Sequence, residues 1–274
     1  MSSGTLYLVG TPIGNLGDIT DRARETLAAV DLVAAEDTRR TGKLLAHFGI
    51  RAKLVSFFEA NERERTRELL AALRNGEDVA VVSDAGMPGL SDPGFRLVRA
   101  AADADIAVRV VPGPSAAVSA LVVSGLPSAR FVFEGFLPRR AGERRARLAE
   151  LAAERRTIVV FESPRRVART LEEISAVLGD REIAVVRELT KLHEEVLRGD
   201  AAELAHKLLG REIKGEVVIV IGGAPAAAPP PAGELAAEAA RLVEGGMRKR
   251  EAAGEVARRH GISANAVYRA LVGE

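Results

Sequence analysis

The residues of this chain that could do chemistry are gathered in loops that follow short apolar runs. Ala80 to Gly94 reads AVVSDAGMPGLSDPG and sets Asp84 and Asp92 among Gly86, Gly89, Gly94, Pro88 and Pro93. Leu6 to Val9 runs into Gly10-Thr-Pro-Ile-Gly14-Asn-Leu-Gly17-Asp18, and two further acidic loops read Glu36-Asp37-Thr38-Arg39-Arg40 and Phe58-Glu59-Ala60-Asn61-Glu62. Glycine lets backbone N–H and C=O groups approach a small ligand, and carboxylates beside them accept hydrogen bonds or protons. Each acid also has an ordinary structural reading. Asp92, for instance, is placed to cap a helix starting at Phe95.

The elements that must carry these loops follow from periodicity. Apolar runs at 6–9, 32–35, 53–57, 79–82 and 107–111 alternate with amphipathic segments from Ala23, through Leu44 and Leu45, at 63–75 and at 95–102. That alternation predicts a parallel sheet whose carboxyl edge collects the loops, the edge where open α/β sheets bind ligands. Pro112-Gly113-Pro114-Ser115-Ala116 marks a junction, with Ser115 able to cap a helix over 116–124. Beyond it, runs at 131–134, 157–161, 182–187, 194–199 and 215–221 predict a second, mixed α/β domain. The expected division is 1–113, 114–223, a Pro/Ala linker at 224–233 and a helical module at 234–274. In that module a helix at 234–244 precedes a helix, a turn at Gly261 and a second helix with Ser263 as its cap, the grammar of a helix-turn-helix.

Composition excludes whole classes. The 274 residues contain no cysteine, which removes thiol nucleophiles, disulfides, zinc fingers and iron–sulfur clusters. His47, His193, His206 and His260 show no ligand spacing, so no metal site is expected. With no basic leader and no apolar run of membrane length, a soluble, cytoplasmic protein is expected. The glycine spacing of the first loop is not G-x-G-x-x-G, which disfavours a dehydrogenase. Net charge is +1, yet residues 136–169 hold ten Arg against four Glu, the pattern of a polyanion-binding edge on an otherwise acidic body.

Taken in order, VGTPIGNLGDIT, AEDTRRTGKLL, FFEANE, SDAGMPGLSDPG, PGPSA, GFLPR and ESPRR resemble the tetrapyrrole-methylase superfamily over about residues 4–222. They are most similar to its branch that acts on ribosomal RNA. The resemblance implies two α/β domains with S-adenosyl-L-methionine (SAM) in the cleft between them, and a homodimer. It implies transfer of a methyl group to the ribose 2′-oxygen of a cytidine in the decoding region of 16S ribosomal RNA, within the 30S subunit. Cofactor contacts are then expected at Pro12, Ser83, Asp84, Ala85, Gly86, Met87, Ser115, Ala116, Ser163 and Leu189. Asp37, Glu59 and Asp84 become the candidates for taking the hydroxyl proton, with Glu36 behind them. Arg39, Arg40, Arg139, Arg140, Arg165 and Arg166 become the RNA-phosphate set, since guanidinium groups contact phosphate bidentately. The central loop departs from the Gly-Asp-Pro core of the tetrapyrrole enzymes, reading Ser83-Asp84-Ala85-Gly86, which argues against a porphyrin-like substrate. The rival readings are a tetrapyrrole methyltransferase and an RNA-binding assembly factor without turnover.

Overall fold

The computed structural model describes residues 3–225 and 230–273. They form two compact units, Met1–Ala224 and Pro225–Glu274. The first five apolar runs are strands β1 (Leu6–Val9), β2 (Leu32–Ala35), β3 (Leu54–Ser56), β4 (Val79–Val82) and β5 (Val108–Val111). All pair in parallel, in the order β3-β2-β4-β1-β5. Helices α1 (Asp21–Ala29), α2 (Thr38–His47), α3 (Glu62–Arg74) and α4 (Phe95–Asp103) lie between them in sequence. Every residue of β2 and β4 is buried, because apolar clusters cover both faces of the sheet. From β1 the chain moves two places one way to β2, and from β4 two places the other way to β5. The carboxyl ends of neighbouring β1 and β4 therefore flank a topological switch point, where diverging loops leave a crevice.

The second sheet begins after α5 (Ala116–Ser124). It comprises β6 (Phe131–Phe136), β7 (Thr157–Glu162), β8 (Glu182–Arg187), β9 (Glu195–Asp200) and β10 (Val217–Ile221), with α6 (Ala141–Glu150), α7 (Val167–Leu178) and α8 (Ala201–Leu208) interspersed. Its order is β6-β7-β10-β8-β9, parallel only between β6 and β7. Alternate residues of β7 face opposite sides. Val159 joins Ala117 and Leu121 of α5, while Ile158 and Val160 join Leu148, Leu171 and Leu204 of α6 to α8. The tetrapyrrole-methylase architecture of two α/β layers is the one observed.

The Arg-rich segment is less cationic in space than in sequence. Arg144 is only 2% exposed and grips Glu173 of α7 through Nε (2.6 Å) and Nη2 (2.9 Å). Its Nη1 donates to the carbonyls of Pro138 and Arg139 at 3.1 Å each. Arg147 pairs with Glu134, Arg166 with Glu162, and Arg169 also reaches Glu173. Glu134 and Glu173 lie outside the 136–169 window, so a running count of charge overlooks them.

The C-terminal unit contains α9 (Ala232–Glu244), α10 (Lys249–His260) and α11 (Ala264–Val272), closed around Leu235, Ala239, Val256 and Val267. Helix α9 starts at Ala232, inside the expected linker, and residues 226–229 of that linker lie outside the described residues. Gly261 ends α10 in the left-handed region, as expected, but Ser263 makes no side-chain capping bond. Among the described residues no helix is long and apolar enough to cross a membrane.

Candidate active site

Backbone contacts lash together the loops at the carboxyl edge of the first sheet. Thr11 N–H donates to Gly86 O (2.9 Å) and Gly86 N–H to Thr11 O (3.1 Å), bridging the loops after β1 and β4. Gly10 lies so close to Gly113, after β5, that a Cβ on it would sit 2.7 Å from the Gly113 backbone. Only glycine permits that approach. The β2 loop is tied in through polar groups. Asp37 N–H donates to Asp84 Oδ1 at 3.0 Å, Asp84 N–H to Glu36 Oε2 at 3.4 Å, and Arg40 Nη1 to Asp84 Oδ2 at 2.8 Å.

The central loop turns through left-handed residues, with Gly86 at φ +83° and Ser91, a non-glycine, at φ +65°. Strain of this kind persists where the surroundings impose it, and it clusters at functional sites. The helix that follows is not capped by Asp92, contrary to the sequence expectation. Gly94 is the N-cap residue, and Glu62 at the start of α3 accepts from its N–H at 3.0 Å. Asp92 instead lines the cleft.

That cleft measures about 400 Å3. Its apolar wall is made by Ile13, Met87, Ala116, Phe136, Phe161 and Val218, and Ser115 and Ser163 line it as well. The charged lining is Glu36, Asp84, Asp92, Glu162 and Glu216 against Arg40 alone. Arg166 pairs with Glu162, Lys191 with Glu216 and Arg40 with Asp84, so Glu36 and Asp92 are the lining carboxylates without a cationic partner among the described residues, and they favour a ligand bearing positive charge over a phosphate. Burial raises Asp92 to about 6, helped by the neighbouring Glu36 and Asp84 and opposed by a Ser83 hydrogen bond. Glu36 is also raised, first by burial, with the Asp84 N–H opposing. Asp37 is held low, chiefly by the Arg39 guanidinium and by N–H groups of α2.

A second cavity of about 360 Å3 adjoins the first, and Arg40 and Asp84 line both. Its floor is the loop from Thr11 to Leu16 and its side is one face of α2, through Arg40, Thr41, Lys43, Leu44 and His47. The structure thus brings Asp84, Ala85, Gly86, Met87, Ser115, Ala116 and Ser163 into the main cleft. Pro12 and Ser83 line the neighbouring cavity, and Leu189 packs with the cluster around α5 and lines neither. Of the acids weighed as proton acceptors, Asp84 reaches the cleft, Asp37 caps α2 and pairs with Arg39, and Glu59 is exposed and lines neither cavity. Among the six arginines, Arg40 alone lines either of these two cavities. Arg140 pairs with Glu143 and Arg166 with Glu162, while Arg139 and Arg165 are exposed.

Sequence reading missed Phe136 of β6, Phe161 of β7 and Glu216 just before β10, which only tertiary packing carries to the cleft. Lys43 and His47 did leave a signal, since they follow Arg40 at +3 and +7 on a helix without acidic residues.

A parallel 3-2-4-1-5 sheet, a mixed second sheet, and a cleft at the edge of the first define a class of methylase. The model for tetrapyrrole (corrin/porphyrin) methylases matches residues 5–205, and the chain belongs to that family. Within it, the chain is 48% identical over 276 residues to the ribosomal RNA small subunit methyltransferase I of Mycobacterium tuberculosis, covering 99% of this chain and 96% of that one. The protein of the same name from Thermotoga maritima is 50% identical over 218 residues, 80% of this chain and 98% of the relative. Among solved structures, the methyltransferase CobJ superposes with a TM-score of 0.60 at 19% identity, covering 81% of this chain and 95% of that one. Uroporphyrin-III C-methyltransferase of Thermus thermophilus, complexed with S-adenosyl homocysteine, gives 0.57 at 22%, covering 80% and 97%.

Proposed function

We propose that this protein transfers a methyl group from SAM to the ribose 2′-hydroxyl of a cytidine in the decoding region of 16S ribosomal RNA. The observation that carries the reading is the main cleft, apolar on one wall and rich in carboxylates. It suits a cationic adenosyl ligand and disfavours phosphorylated ones, in a chain nearly half identical to ribosomal RNA methyltransferases. When bound, SAM supplies a methyl group activated by a sulfonium. The residues that would hold it are Met87, Ala116 and Ile13 against the flat adenine, and Ser115, Ser163 and the Gly86 backbone around its polar ends.

What remains for the protein is to hold a hydroxyl oxygen in line and to accept its proton as the new bond forms. Asp84 is engaged by Arg40 and the Asp37 N–H, so its part is to fix the floor of the site. Asp92 lines the cleft with a pKa raised to about 6, close to the working pH, which suits it to take the proton. A tetrapyrrole substrate is the second reading, and the solved neighbours support the fold alone. The test is transfer of labelled methyl from SAM to 30S subunits lacking ribose methylation, with nuclease mapping. Label on a cytidine ribose is expected. Absent label, or label on a base, overturns the reading.

A further inference from the structure

The two adjoining cavities differ in sign. The main cleft sets five carboxylates against Arg40, whereas the second sets Arg40, Lys43 and His47 against Asp84 alone. The basic groups sit at i, i+3 and i+7 of α2, a spacing that places them on one helix face. That helix contributes no acid of its own, and both Lys43 and His47 are exposed at the cavity mouth. Thr11, Pro12 and Gly14 line its floor, with Leu16 as an apolar flank. A volume of about 360 Å3 is in the range of small-ligand sites.

We propose that this second cavity receives the RNA nucleotide to be methylated. Lys43 and His47 hold the adjoining phosphodiester, and the Arg40–Asp84 pair stands at the boundary where the ribose meets the main cleft. The proposal rests on the methyltransferase reading above and adds to it a substrate subsite. Three features carry it. The cavity shares two residues with the cleft that suits the adenosyl ligand, so an occupant reaches the site of transfer. Its charge suits an anionic backbone, and it is too small for duplex, which agrees with a single nucleotide splayed from its strand. Neither Lys43 nor His47 makes an ion pair with any described residue, so both are available to a phosphate.

The experiment compares wild type with Lys43→Glu, Lys43→Arg and His47→Ala, and with Lys53→Glu as control. Lys53 precedes β3 and so lies at the opposite edge of the sheet. Three readouts are taken: SAM affinity, the kcat and KM of methyl transfer to 30S subunits, and the salt dependence of binding to a single-stranded oligonucleotide of the decoding region. Lys43→Glu should raise KM for 30S about tenfold or more while SAM affinity stays unchanged, and the slope of log K against log salt should fall by about one contact. His47→Ala should do so more weakly, Lys43→Arg should restore binding, and Lys53→Glu should act as wild type. Unchanged KM and salt slope in Lys43→Glu and His47→Ala overturn the subsite. An equal loss in Lys53→Glu overturns it too, since only diffuse charge is then being read. Failure of wild type to methylate 30S would instead overturn the function, and the oligonucleotide arm still decides whether the cavity holds RNA.

Discussion

Asp92 shows how one side chain answers to its surroundings more than to its neighbours in sequence. In SDPG, just before a helix, it has the form of a cap. Gly94 is the cap residue instead, its N–H held by Glu62, and Asp92, after the left-handed Ser91, lies half-buried beside Glu36 and Asp84. Because its folded pKa is about 6 against an ordinary 3.8, the folded state favours the protonated acid. Its contribution to stability is therefore fully present below about pH 4 and is lost as pH rises through about 6. Asp92→Asn should accordingly be more stable than wild type at pH 8, by about 1 kcal/mol after discounting for solvent screening of a half-exposed group. The two proteins should converge at pH 4, as thermal melts at both values would show. The same substitution should lower kcat by about 10²–10⁴-fold. Wild-type activity should decline with the binding of one proton as pH falls below about 6. A variant that keeps wild-type turnover and its pH profile would remove Asp92 from the chemistry.

Among the elements, α6 carries the plainest lesson. Its sequence, AGERRARLAE, has the arginine spacing of a polyanion-binding face, yet Arg144 is a strut inside the fold. The side chain is buried with four hydrogen bonds, joining α6 to α7 and to the loop that follows β6. Removing it leaves the Glu173 carboxylate, which is 6% exposed, with only the longer contacts to Arg169 (3.6 Å) and Arg145 (3.8 Å). Arg144→Leu should cost about 3–5 kcal/mol in denaturant unfolding. If Arg144 instead served RNA, the variant would keep its stability and lose affinity. Glu173 lies 29 residues along the chain, so its pairing with Arg144 is written nowhere in the local pattern.

At the scale of the whole molecule, the C-terminal unit has its own core, and Glu238 of α9 ties it to α10 through Arg259 (3.2 Å) and His260 (2.7 Å). The start of α11, residues 264–266, is exposed, which is the part of a helix-turn-helix that meets nucleic acid. A chain ending at Ala224 should keep SAM affinity. If α10 and α11 dock the ribosomal substrate, it should bind 30S subunits more weakly and with a shallower salt slope. An unchanged slope would leave the unit without a role in docking.

How much of this was legible in the sequence depends on the range of the forces involved. The strands, the helices, the parallel first sheet and the loops along its carboxyl edge follow from hydrophobic periodicity and turn chemistry, which act over a few residues. The seven cofactor candidates that line the cleft came from the resemblance of those loops to a known family, and periodicity supplied only the shared edge on which they lie. Tertiary structure decided the rest. It set which acid is buried, which arginines are consumed by carboxylates far along the chain, and that Phe136 and Phe161 of the second sheet, with Glu216 just before β10, come to line the cleft. It also divided one edge into an acidic cavity and a basic one. Desolvation and pairing of charge depend on distance in space, and no local reading of the chain carries that distance.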